Sequence, residues 1–173
     1  NTEIVFESGD RIETDNNNPD PLENYYDLEA NKAMLLQQLE EFLTNRYYSE
    51  QLENILNQLA WLGDSDALSA LIDGYQKTKF DGDLNRAILD AILKVANPDI
   101  AYDLGDYMNN AIDDGDDTLL GSVATALSNI GSEEATDTLI HTLSTTPESD
   151  DTNSIISKAI ANIRNTDVAP ILV

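Results

Sequence analysis

The chain repeats itself, and the repeat constrains its fold more than any other feature. Laid over itself near a period of about 34 residues, "LGDSDA" (62–67), "ANPDI" (96–100), "IGSEEA" (130–135) and "IRNTDV" (163–168) fall into register. Asp66, Asp99, Glu134 and Asp167 follow at intervals of 33, 35 and 33 residues. A fixed period of this size marks stacked supersecondary units, none of which can bury its apolar face alone.

The columns of the repeat define the unit. Ahead of each break, Ile55, Ile88, Val123 and Ile156 share one column. Leu59, Ile92, Leu127 and Ile160 share a second, and Leu62, Val95, Ile130 and Ile163 a third. Steps of four and three residues trace one face of a helix. Beyond the break, Leu71, Leu104, Leu139 and Leu172 align as the core of a second helix. Each unit therefore reads as helix, tight turn, helix, and the fold class is all-α. The breaks are expected at 63–65, 96–98, 131–132 and 164–166.

The turn carries its own chemistry. Asp64, Asn97, Ser132 and Asn165 occupy one column, and all four can cap a helix N-terminus. Pro98 follows one of them, at a position where proline is favoured. The acidic column comes next, where a carboxylate meets the positive end of the helix dipole. Asp66, Asp99, Glu134 and Asp167 thus read as helix starts, not as a catalytic ladder.

These residues carry a resemblance. "LSNIGSEEATDTLIHTL" (127–143) resembles the HEAT-like repeat of the phycobilisome-lyase type: a small-residue helix, a Gly-Asp-Pro-like turn, Ala, and a Leu-Ile helix. The match covers residues 49 to 173 and is strongest in the third unit. The second unit departs from it at Ala96, where the turn glycine is expected, and at Gly105 inside its second helix. The resemblance implies a right-handed α-solenoid whose second helices line a concave surface. Such arrays usually bind proteins.

The expected organisation is an extended arm or linker over 1–27 and a solenoid over 28–173. A capping helix takes 28–45, with Met34, Leu35, Leu39, Phe42 and Leu43 as its apolar stripe. Repeats follow at about 49–79, 82–112, 116–146 and 150–173. "ETDNNNPDP" (13–21) has linker composition, and "EIVFE" (3–7) is a short β-prone run, either packed on its own chain or donated to a neighbour. At the other end, "VAPILV" (168–173) holds Pro170 inside the fourth unit's second helix. A shortened chain, a partner or a further domain would each account for that.

Charge excludes some functions. With 33 acidic and 9 basic residues, the net charge is −24. A nucleic-acid binder needs a basic footprint, and this chain repels phosphates and anionic lipids. No apolar run approaches the roughly 18 residues of a membrane span. The acidity serves solubility or a salty medium, or it attracts a basic protein partner; mimicry of nucleic acid rests on charge alone. The sequence holds no Cys, hence no disulfide, thiolate zinc site or thiol nucleophile. It begins at Asn1, and that start, the missing Cys and the Asn-rich leader favour an extracytoplasmic setting, envelope or secreted.

Few residues offer chemistry. His141, Asp73 and Asp106 share a column seven residues past the acidic helix starts, on the concave side of the implied solenoid. As a metal site the row fails, because adjacent helices stand roughly 10 Å apart and ligands must lie about 2 Å from one ion. A Ser-His-Asp triad would also need His141, and no nucleophile elbow is present. The inter-repeat loops "KFDGD" (79–83), "DDGDD" (113–117) and "PESDD" (147–151) should stack into an acidic edge. An EF-hand starting at Asp81 would put Arg86 and Ile92 where Gly and Glu are required. Those loops read as helix caps, with weak divalent-cation binding as the other reading. Tyr102 and Tyr107, off the core columns, suit partner contact.

The functional expectation is a non-enzymatic interaction module without cofactor. It would bind a protein through Asp73, Tyr102, Asp106, Tyr107 and His141. The alternative is a bilin-lyase-like chaperone handling a tetrapyrrole, as the resemblance implies. The concave columns lack a basic residue to meet the propionates of such a ligand.

Overall fold

The computed structural model describes residues 21–46, 48–79, 81–146 and 150–163, with the backbone alone for 21–29 and 150. Among them are eight α-helices and no strand: α1 (Pro21–Asn45), α2 (Glu50–Leu62), α3 (Ser65–Lys77), α4 (Gly82–Ile92), α5 (Ala101–Asp113), α6 (Asp117–Ile130), α7 (Glu133–Thr145) and α8 (Asp150–Ala161). The β-prone run at 3–7, most of the linker, the fourth break and the second helix of the fourth unit lie outside the described residues.

Helix α1 starts at Pro21, seven residues before the expected 28, so the linker assigned up to residue 27 is in part helix. Proline suits a first helical turn because its missing N–H has no intrahelical role there. The buried stripe of α1 is Leu35, Leu39 and Leu43, spaced by four. Met34, assigned to that stripe, is half exposed.

The columns of the repeat are the core. Ile55, Ile88, Val123 and Ile156 are all buried, and Leu71, Leu104 and Leu139 are fully so. The substantial contacts join helices one or two apart in the chain. Helices α2, α4, α6 and α8 pack successively on one another, and α1 packs on α3 as α5 does on α7.

The turns show why the units differ. Gly63 and Gly131 end α2 and α6 at φ of 53° and 61°, a left-handed conformation that costs glycine little. Asp64 Oδ1 then accepts from the Ala67 amide at 2.8 Å and Ser132 Oγ from the Ala135 amide at 3.2 Å, so the next helix starts at once. In the second unit Ala96 stands where glycine would. Helix α4 ends early at Ile92, and a 3-10 turn over Pro98–Ile100 precedes α5. That break is longer than the expected 96–98. Asn97 accepts from the Asp99 amide at 3.0 Å, two residues on, as in an Asx turn.

Gly105, the other departure, has a packing reason. A Cβ built there would meet Thr138 Cγ2 of α7 at 2.6 Å, so the glycine lets α5 and α7 approach closely.

Candidate functional site

The expected binding residues lie on three second helices. Asp73 is on α3, Tyr102, Asp106 and Tyr107 on α5, and His141 on α7. Asp73, Tyr102, Asp106 and His141 are exposed, and Tyr102 is the most open of the large apolar side chains at 70%. Tyr102 and Asp106 are four residues apart and share a face of α5. Tyr107 differs from the expectation: one residue further round the helix, it is partly buried against the core.

Helices α5 and α7 pack directly, which sets Asp106 and His141 on neighbouring elements. Helix α3 is tied to α5 where the Ser65 hydroxyl donates to the Asp103 carboxylate. No side chain of the five has a hydrogen-bond or ion-pair partner among the described residues. No group of three or more His, Asp or Glu residues there could hold a metal ion. The surface offers charge and one aromatic ring, and no convergent acid, base or nucleophile.

The loop edge holds a cluster that the sequence reading missed. Loops 79–83 and 113–117 meet through Lys79 Nζ and Asp116 Oδ2, 3.1 Å apart. The Tyr75 hydroxyl of α3 also donates to Asp116, 2.9 and 3.0 Å from its two carboxylate oxygens. Asp116 caps α6 as well, accepting from the Leu119 amide at 3.1 Å. Lys79 Nζ sits 5.8 Å from the centre of the Tyr75 ring, within cation–π range. Burial by itself would push the Asp116 carboxyl up. The Leu119 amide, the Tyr75 hydroxyl and the Lys79 ammonium outweigh it and hold that carboxyl below its ordinary value. Burial and the same carboxylate push the Tyr75 phenol up.

Asp64 repeats the arrangement at the first turn. Lys32 Nζ of α1 donates to its Oδ2 at 2.7 Å, while its Oδ1 caps α3. Burial raises the Asp64 carboxyl, but Lys32 and the Ala67 amide leave it lowered. Asp66 lies 3.2 Å from the same ammonium. Asp64 thus joins α1 to α3 through Lys32 while capping α3.

A groove of about 350 Å³ opens between α2 and α4, lined in part by Tyr48, Glu53, Asn57, Arg86 and Lys94. The Tyr48 hydroxyl donates to Glu53, and Lys94 Nζ donates to Asn57 at 3.0 Å. Sequence spacing could not have found it, since its walls come from two units and mix both signs of charge. Among the described residues, no helix is long and apolar enough to cross a membrane. Comparison with protein-family models, characterised proteins and solved structures gives no match for this chain.

Proposed function

We propose that the chain is a non-enzymatic interaction module: a right-handed α-solenoid of HEAT-like units that binds a basic protein. The binding surface is the outward side of the second helices, with Asp73, Tyr102, Asp106 and His141 at its centre and the partly buried Tyr107 at its margin. The observation that carries this reading is Tyr102, an aromatic ring 70% exposed beside Asp106, whose carboxylate has no partner among the described residues. An exposed tyrosine supplies contact area at low entropy cost. Carboxylates without internal donors are available to cations on a partner. The charge of −24 steers such a partner in.

The test uses the parent chain and the Tyr102→Ala/Asp106→Ala variant as parallel baits in the native source, at low and moderate salt. Basic proteins retained by the parent, lost from the variant and weakened by salt support the reading. Equal retention by both baits, with both folded by circular dichroism, rejects this surface.

A further inference from the structure

The groove between α2 and α4 belongs to the first helices, so it is independent of the contact surface proposed on α3, α5 and α7. Its apolar lining is the buried Leu56 of α2 and the partly buried Ala87 of α4. Asp83, Arg86 and Asp90 also line it. They are three and four residues apart, hence on one face of α4. Elsewhere the chain pairs its cations with carboxylates: Lys32 with Asp64, Lys77 with Glu40 and Lys79 with Asp116. Arg86 has no such partner among the described residues, although Asp83 and Asp90 flank it. Neither of those carboxylates has a hydrogen-bond or ion-pair partner there either. The remaining polar walls are engaged, Glu53 by the Tyr48 hydroxyl and Asn57 by Lys94. The bond to Glu53 pushes the Tyr48 phenol up, and partial burial and the charges of Asp83 and Asp90 add to it. Both free carboxylates therefore act on the groove.

We infer that this groove is a binding site for a short apolar peptide with free termini, a small zwitterion. The peptide's carboxylate takes the Arg86 guanidinium, whose planar fork offers it two parallel N–H bonds. Its ammonium takes Asp90, and its side chains cover Leu56 and Ala87. A ligand with negative charge alone would face Asp83 and Asp90, and one with positive charge alone would face Arg86 and Lys94. Spacing agrees with a dipeptide. Positions four apart on a helix stand about 5–6 Å apart at Cβ. The termini of an extended dipeptide are about 6 Å apart, since its Cα atoms alone are separated by about 3.8 Å. The groove volume of about 350 Å³ falls at the lower end of the roughly 300–1,000 Å³ of small-molecule sites.

The test is calorimetric titration of the full chain with leucyl-leucine, its N-acetyl derivative and its C-terminal amide. Moderate salt screens the general pull of a −24 chain on cations. Leucyl-leucine should bind, and each capped form should bind at least tenfold more weakly. Arg86→Gln and Asp90→Asn should each weaken leucyl-leucine at least tenfold. Both side chains are exposed, so the helical circular-dichroism signal should be unchanged. Lys158→Gln, which removes an exposed cation of α8 outside the groove, should bind as the parent does. Absence of binding at millimolar leucyl-leucine overturns the inference. Equal binding of the N-acetyl form also overturns it, because the groove is then a plain anion site. Equal binding of the amide overturns it as well, because net charge alone then attracts the ligand. Parent-like affinity in Arg86→Gln would place any bound peptide elsewhere.

Discussion

Asp116 and Asp106 are ten residues apart in a strongly acidic chain, yet they sit in opposite circumstances. Asp116 is 11% exposed and has the Leu119 amide, the Tyr75 hydroxyl and the Lys79 ammonium on its two oxygens. Asp106 is exposed and has no partner among the described residues. The acidity of this protein is therefore two properties. One set of carboxylates serves as hydrogen-bond acceptors that fasten helix to helix. The other set has no partner among the described residues and repels its neighbours.

That division is open to measurement, with a core truncation as the ruler. Leu139→Ala should cost about 2–5 kcal/mol, the usual range for a fully buried leucine. Asp116→Ala should come close to it. Loss of the cap costs about 0.5–2 kcal/mol, and leaving the buried Tyr75 hydroxyl unsatisfied adds about 1–3 kcal/mol. If Asp116→Ala melts with the parent, the fastening role is wrong.

The same carboxylate fixes the sign of an acid effect. Its folded-state value is depressed below the ordinary 3.8, so the stability it contributes is fully present above that value. It is lost as pH falls through the folded-state value. The melting-temperature gap between parent and Asp116→Asn should stay constant from neutral pH to about pH 5 and then narrow at lower pH. A gap that widens on acidification would mean that the carboxyl is raised.

The unpaired set should respond to salt. Screening acts over about 10 Å at 0.1 M, so the melting temperature should rise between low salt and several hundred millimolar. A flat curve would show that the repulsion is already relieved. The smallest effect belongs to Asp73→Asn and Asp106→Asn, which should shift stability within about ±0.5 kcal/mol. With a bound partner the order reverses. Asp106→Asn then weakens affinity and Asp116→Asn leaves it unchanged, which titration calorimetry would separate.

What could be read in advance follows from the range of each interaction. The caps at Asp64 and Ser132 are contacts three residues long, and the core columns repeat four times, so both are written locally. Asp116 is one of four aspartates in "DDGDD", and its partner Tyr75 lies 41 residues away. No periodicity distinguishes it from Asp113 or Asp114. Tyr107 is partly buried where Tyr102 is exposed, because positions around a helix differ by about 100° each, enough to move a ring from solvent onto the core. The second break extends beyond 96–98 because the Cβ of Ala96 disfavours the left-handed cap that Gly63 and Gly131 adopt.

The short reach of the helix contacts has a dynamic consequence. Since the substantial contacts join elements one or two apart, removing an outer helix deprives only its immediate neighbours of support. Opening should therefore proceed from the ends, as in a stack whose outer members detach first. Amide exchange should be slowest in the centre, around α4 to α6, and progressively faster toward α1 and α8. A partner that spans several helices would clamp members that otherwise open separately. Its binding would then be recorded as slowed exchange at helices it never touches.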